Sequence, residues 1–528
     1  MKFSLSLLTL ALVACTAFAQ NDIQVVELPE QTPVATVDLT QPQVPEEAPI
    51  SAIQTPDVPP YRVHSKEKHQ MRVINSGMGS LYARIDMIRR AEKTIDLESY
   101  IFNDDKAGKI ILKELAAAAK RGVKVRLLVD KFFGVFKMDE FYAQELKKKG
   151  IDIRYYNTYP IVALSTFQSR NHRKLMVTDG KEAITGGRNI ADEYFDLSDK
   201  YNFLDRDVTV EGDVVKTMDE SFEKYWNSDL TAEPNAPREP RESDYEDNNN
   251  VNYRMDLNRY KGNLARASKL FDEDPEHDRI LKFMEEDGKQ MFLSHEKRDC
   301  PEVAFATDKE GGGFFARLKR GNYDQEYRHL RREIMSWMDQ KAKDEVIFDT
   351  PYFLSNKVSD KISQFLQETR TKIKVMTNSL ASSDAVPVVT VFSDHVTNYT
   401  SYPDFQAYVY KGNFTNETKL IDDKVKDATW GTHSKTTVFS DESFMVGSFN
   451  MDNRSSYYNS ELAVFCAGSK ELTKDVKDNI ELRMGNSHKL DANGDMEVCE
   501  DEALSISPLK KALYWLLKVP SHLMQHLL

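Results

Sequence analysis

Two short stretches of the chain carry residues that could do chemistry together. The first runs Asn171-His172-Arg173-Lys174 on to Asp179 and, fourteen residues after the histidine, Gly186-Gly187-Arg188-Asn189. The second runs His433-Ser434-Lys435 and, at the same distance, Gly447-Ser448-Phe449-Asn450. An imidazole can act as a neutral nucleophile or exchange a proton near neutral pH, and a lysine can neutralise oxygens as charge develops on them. With one residue between them on a strand, histidine and lysine emerge on the same face and address the same group of substrate atoms. Gly187 and Ser448 are small enough for backbone to approach a substrate closely and are expected to bind it. Asn189 and Asn450 add amide donors at the same point. Downstream, Asp207 and Glu461 are expected to orient one imidazole each. Asp179 follows Lys174 by five residues, whereas five after Lys435 stands Ser440, with Asp441 one place further. His433 and Lys435 are expected to function without that carboxylate, with a slackened second half-site as the alternative.

The elements that must position these residues also occur twice. Thr94 to Phe102 reads as a strand, 107–120 as an amphipathic helix and Val123 to Asp130 as a second strand. Val346 to Phe353, 357–369 and Lys372 to Asn378 repeat that order. Strand, helix, strand with short connections predicts βαβ units, so the fold class is α/β: two lobes related by a pseudo-two-fold, each with a largely parallel sheet, and the motifs at their seam. Leu97, Ile111, Leu115, Leu127, Val346, Val375 and Val446 are the expected core. The segments divide as 1–19, a signal peptide; 20–70, a linker with eight of the chain's 19 prolines between 21 and 60; 71–231, the first lobe; 232–300, a polar linker and helical insertion; 301–487, the second lobe; and 488–528, a tail with an amphipathic stretch.

Two His-Lys motifs in register, each with its Gly-x-x-Asn sequel, resemble the phospholipase D superfamily, and within it the bacterial cardiolipin synthases. Gly186 to Phe195, Thr350-Pro351-Tyr352-Phe353 and Thr377 to Asp384 share the likeness, which spans residues 75–485. The resemblance implies that His172 forms a covalent phosphohistidine while His433 protonates the departing alcohol and later deprotonates the acceptor, although the two roles are open to reversal. Lys174, Lys435, Asn189 and Asn450 would hold the phosphoryl oxygens, with Asp179 in support. No metal or other cofactor is implied.

Composition narrows the substrate. Lys plus Arg number 71 against 84 for Asp plus Glu, a net charge of -13 that opposes tracking of a polyanion, so no nucleic-acid partner is expected. An apolar run from Leu5 to Val13 after Lys2 predicts export. Cleavage after Ala17-Phe18-Ala19, or at a lipobox-like Leu12-Val13-Ala14 that would leave Cys15 lipidated, both fit a bacterial envelope protein in the periplasm. Four cysteines predict neither a zinc site nor a disulfide framework, at most one pair. Pro508 to Pro520 is apolar, aromatic and cationic without acid, as suits a segment lying on a membrane surface. The expectation is phosphatidyl transfer joining two phosphatidylglycerols. Phospholipase D hydrolysis to phosphatidic acid, a secreted nuclease and an inactive envelope lipid-binding protein are the alternatives.

Overall fold

The computed structural model describes residues 57–132, 137–158, 169–245, 250–311, 323–497, 506–525 and 528. The expected signal peptide, Cys15 and most of the proline-rich segment lie outside them.

Among the described residues, strands assemble into two nine-stranded sheets and a two-stranded ribbon. The centre of the first sheet runs, in spatial order, Ile151–Tyr156, Lys124–Asp130, Thr94–Ser99, Leu175–Thr178, Glu182–Gly186 and Asp207–Glu211. Phe405–Tyr410, Lys372–Asn378, Glu345–Asp349, Thr436–Ser440, Ser443–Gly447 and Leu462–Ala467 repeat that order in the second. The repeat read in the sequence is therefore the architecture. The largely parallel sheet is not. Within the two nine-stranded sheets, only the pairs joined through the helices Lys106–Lys120 and Lys357–Glu368, and the next strand outward from each, run parallel. The strand that follows each His-Lys motif turns back at once, with Thr178 opposite Glu182 and Ser440 opposite Ser443, a turn too short for a crossover, and the pairs on either side of each hairpin are antiparallel as well.

The helices form for local reasons. Asp105 caps Lys106–Lys120 by accepting from Gly108 N at 3.1 Å, and Ala107, Ile110, Ile111, Leu115 and Ala118 make its buried stripe. Asn356 does the same for Lys357–Glu368, accepting from Val358 N and Ser359 N. All seven expected core residues are buried. They belong to three clusters: one under the helices of each lobe, and one between the lobes, where Val73, Val177 and Val210 meet Val303, Phe305, Val446 and Val464.

The segment boundaries shift where the lobes exchange edges. Residues 62–65, inside the expected 20–70 linker, form a strand on the second sheet against Glu302–Thr307, while the adjoining His69–Ile74 belongs to the first sheet. Conversely, Arg298–Cys300, inside the expected insertion, closes the edge of the first sheet against His69–Ile74. Each lobe is thus edged by the segment that leads into the other. A Cys300–Cys466 disulfide ties these two sheets together, and Tyr201–Leu204 pairs in parallel with Thr429–Thr432 across the seam. Both links hold the two halves as one body.

Candidate active site

Each motif sits just before a strand rather than on it. Leu175–Thr178 begins one residue after Lys174, and Thr436–Ser440 one after Lys435. The extended segment ahead of each strand is pinned to the opposite lobe: His172 N donates to Ser460 O at 3.0 Å, and His433 N to Leu204 O at 2.7 Å. Beneath each segment lies a buried carboxylate from the equivalent central strand. Glu98 accepts from Asn171 Nδ2 at 2.5 Å and faces Arg173 at 3.1 Å; Asp349 accepts from Thr432 Oγ1 at 2.9 Å. Arg206 of the first lobe reaches across to Asp349, Ser434 and Thr436, filling for the second motif the place that Arg173 fills for the first.

The imidazoles are oriented crosswise. His172 of the first lobe has Nδ1 2.9 and 3.1 Å from the carboxylate oxygens of Glu461 in the second. His433 of the second lobe has Nδ1 2.7 Å from Asp205 Oδ2 in the first. The orienting carboxylate expected beside Glu461 is Asp207, and the structure corrects that assignment by two residues, to Asp205. Register explains it: Gly186 lies opposite Asp207 in the sheet, whereas Gly447 lies opposite Ala463, so the counterpart of Glu461 is Asp205. Asp207 instead points into the first lobe, where it binds Ser80 Oγ at 2.5 Å, Arg84 at 2.9 Å and Arg188 at 3.4 Å.

Gly187 and Ser448 serve these carboxylates rather than an open surface for substrate. A Cβ on Gly187 would stand 2.2 Å from Asp205 Oδ1, and Ser448 Oγ donates to Glu461 Oε2 at 2.5 Å. Ser455 and Asn459 add further bonds to Glu461. Gly187→Ala is therefore expected to push Asp205 off His433 and lower kcat by at least about tenfold, with an unchanged far-ultraviolet circular dichroism spectrum; a variant with full kcat would show that Asp205 tolerates displacement.

Asp179 also lies away from the imidazoles. With Gly180 it forms the turn after Leu175–Thr178, both at positive φ of 54° and 64°, and its carboxylate accepts from the backbone N–H groups of Glu92, Lys93 and Thr94. The second lobe makes the equivalent turn one residue shorter, with Ser440 opposite Ser443 and Asp441 paired to Lys477. Since the carboxylate braces a turn, its absence at Ser440 leaves the surroundings of His433 intact.

Each lysine folds back on its own motif: Lys174 Nζ donates to His172 O at 2.6 Å and Lys435 Nζ to His433 O at 2.5 Å. Lys435 Nζ also stands 2.9 Å from His433 Nδ1. Asn189 is engaged within its lobe, accepting from Ile101 N at 3.2 Å and donating to Tyr194 Oη at 2.9 Å. Asn450 Oδ1 is buried without a partner among the described residues. Tyr100 lies edge-on to His172 with ring centroids 4.9 Å apart, and Tyr194 to His433 at 5.1 Å, walling the rings with aromatic surface.

Burial sets the protonation of the site. It pushes His172 down to about 4, against the pull of Glu461, so the ring is neutral at pH 7 and Nδ1–H donates to the carboxylate, leaving the Nε2 lone pair free. His433 is held well below the ordinary histidine range, first by burial and then by Lys435 and Lys174. Burial tends to raise Glu461, yet His172 and Lys174 hold it below the usual glutamate range. The lysines fall to about 7 at Lys174 and about 8 at Lys435, again through burial. In the free enzyme their charge is lost as pH rises through those values, so kcat/KM is expected to fall above pH 7–8. A bound phosphodiester anion keeps the lysines protonated, so the same limb in kcat should lie at higher pH. Superimposable alkaline limbs in the two profiles would contradict this role for the lysines.

Two α/β lobes that each bring a His-x-Lys pair to one seam define the phospholipase D superfamily. A family model described as cardiolipin synthase, PLD-like domain, matches residues 84–226 and 338–483, more than half of the chain, and the protein belongs to that family. An uncharacterized protein of Helicobacter pylori J99 is 28% identical over 422 residues, covering 75% of this chain and 76% of that one. Cardiolipin synthase C of Escherichia coli K12 is 25% identical over 408 residues, covering 74% and 79%. The crystal structure of phosphatidylserine synthase from Haemophilus influenzae Rd KW20 superposes with a TM-score of 0.56 at 14% identity, covering 87% of this chain and 95% of that one, a likeness of fold.

Proposed function

We propose that the protein is a phosphatidyltransferase that joins two phosphatidylglycerols into cardiolipin and releases glycerol. The crosswise pairing of two neutral, carboxylate-oriented imidazoles beside two buried lysines carries this reading. His172 Nε2 attacks phosphorus and forms an N–P bond as the bond from phosphorus to the glycerol oxygen breaks. The proton for that oxygen comes from His433. In the free enzyme His433 is neutral, but a phosphodiester anion between the lysines offsets the charge that helps keep it so, and proton uptake accompanies substrate binding. In the second half the hydroxyl of another phosphatidylglycerol attacks phosphorus, His433 takes its proton, and the N–P bond breaks. Lys174 and Lys435 neutralise the non-bridging oxygens throughout.

The net charge of -13 favours a lipid over a nucleic-acid substrate. The disulfide between Cys300 and Cys466 supports an exported protein of the bacterial envelope, because such bonds persist in oxidising compartments. The test is mass spectrometry of lipids from phosphatidylglycerol liposomes incubated with the protein or its His172→Ala variant. Cardiolipin and glycerol, formed by the unsubstituted protein alone, are expected. Phosphatidic acid in their place would make water the acceptor and the enzyme a phospholipase D.

A further inference from the structure

The helix Pro508–Leu523 is amphipathic in an unusual sense, because the face it turns away from the protein is also apolar. Its inward side is fastened by polar contacts: Lys510 Nζ donates to Ala381 O and Ser383 O, both at 2.9 Å, Tyr514 Oη pairs with Ser393 Oγ at 2.7 Å, and Lys518 and His522 meet Asp394 at 3.1 Å. Its outward side carries Leu509, Trp515, Leu516, Val519 and Leu523, from 57% to 74% exposed. These are five of the large hydrophobic side chains most exposed among the described residues, gathered on one helix. The helix contains no acid, and Lys511 stands beside the apolar row. A cationic, acid-free segment on a chain of net charge -13 is complementary to an anionic surface.

The placement of the helix ties this face to the chemistry. Lys510 clamps the loop 381–383, whose Ser382 O accepts from Tyr201 Oη of the opposite lobe, and Tyr201 stacks edge-on with Phe203, which packs against the His433 ring at 4.7 Å. At the other end, Leu528 O accepts from Asn453 N and Arg454 N at 2.9 and 3.1 Å, three and four residues after Asn450. Both ends are thus bound to segments that flank the second motif.

We infer that the outward face of Pro508–Leu523 is a docking surface for an anionic lipid bilayer, lying in the interface and holding the second-motif side of the active site against the membrane. The inference rests on the phospholipid reading above and assigns the element that brings enzyme and bilayer together. The helix is 16 residues long, too short to cross a bilayer, and its apolar row with Lys511 suits a position in the interface. Trp515 and the aliphatic row enter the headgroup boundary while Lys511 meets phosphates.

The chain supplies its own probe. Of its four tryptophans, Trp226, Trp337 and Trp430 are buried and Trp515 is 72% exposed. Full-length protein carrying His172→Ala, titrated with phosphatidylglycerol–phosphatidylcholine vesicles, is expected to show a blue shift of tryptophan emission and quenching by brominated acyl chains. A Leu516→Glu/Val519→Glu variant keeps the reporter and should need at least about tenfold more lipid for the same shift. Unchanged emission on lipid addition would overturn the inference, as would a variant that titrates identically. A blue shift that grows with protein concentration without lipid would also overturn it, assigning the face to a second copy of the chain. Turnover of short-chain phosphatidylglycerol below its micelle concentration reads the chemistry without a bilayer. Its loss in the parent protein would count against the transferase reading, and its retention in the double variant shows that the variant is folded.

Discussion

His172→Ala is expected to lower turnover by about 10⁴-fold or more and to abolish the covalent intermediate, while the protein stays folded. The expectation of folding rests on what remains around Glu461: with the imidazole gone, its carboxylate keeps Ser448, Ser455 and Asn459 as donors and is not left bare in the seam. His433→Ala should be separable from it by choice of leaving group. A natural glycerol oxygen needs a proton to depart, so the variant is slow in the first half-reaction. A p-nitrophenyl phosphodiester departs as a stable anion, so the same variant should attack it, release one equivalent of nitrophenol and stop, because the acceptor hydroxyl lacks its base. Acid-labile adduct mapped by mass spectrometry to the peptide containing His172 is the expected result. Adduct on the peptide containing His433, formed by His172→Ala, would exchange the two roles.

The parts of this site legible in the sequence are those the repeat makes redundant. His172 and His433, Lys174 and Lys435 stand at equal offsets in both halves, and Glu461 is the one acid in its strand-leading stretch, so type and spacing sufficed. Asp205 was hidden by its neighbour. Asp205-Arg206-Asp207 offers two acids two places apart with side chains on the same face of an extended segment. Only the sheet register, Gly186 opposite Asp207, shows which one precedes the strand and faces the seam. The sequence carries a further signal: Glu98 and Asp349 are acids at the same register of the two equivalent central strands, one place before the end of Thr94–Ser99 and at the end of Glu345–Asp349, a position where burial tolerates an acid only when a partner is fixed nearby. The exchange of edge strands at 62–65 and 298–300 left no comparable mark. Short polar strands at a sheet edge carry little apolar periodicity, and which sheet they join is decided by tertiary pairing. The largely parallel sheet fails for a different reason. The βαβ spacing describes only the strands before each motif, whereas a turn such as Asp179-Gly180, with both residues at positive φ, suits an antiparallel hairpin.

Asp205→Asn and Asp207→Asn should separate orientation of His433 from support of the first lobe. Asp205→Asn keeps the shape of the side chain but removes the charge that stabilises the imidazolium and fixes Nδ1–H. It also allows an amide N–H to face Nδ1 and select the wrong tautomer. A loss of about 10³–10⁴ in kcat is expected, with KM and thermal midpoint little changed. Asp207→Asn acts on a different balance. Its carboxylate accepts from Ser80 and faces two buried guanidinium groups, Arg84 and Arg188, so neutralising it leaves buried positive charge uncompensated, at a cost of about 3–5 kcal/mol in stability. The folded fraction should turn over near the parent rate, because Asp207 makes no bond to an imidazole. Combining Asp205→Asn with His433→Ala should cost no more than His433→Ala alone, since the carboxylate acts through that ring. Additive losses in the double variant would mean that Asp205 meets substrate directly, and a large kcat loss confined to Asp207→Asn would restore Asp207 as the orienting carboxylate that the sequence alone suggests. The crosswise arrangement adds one consequence. Both carboxylate-imidazole pairs span the seam, so any change that separates the lobes disorients both rings together.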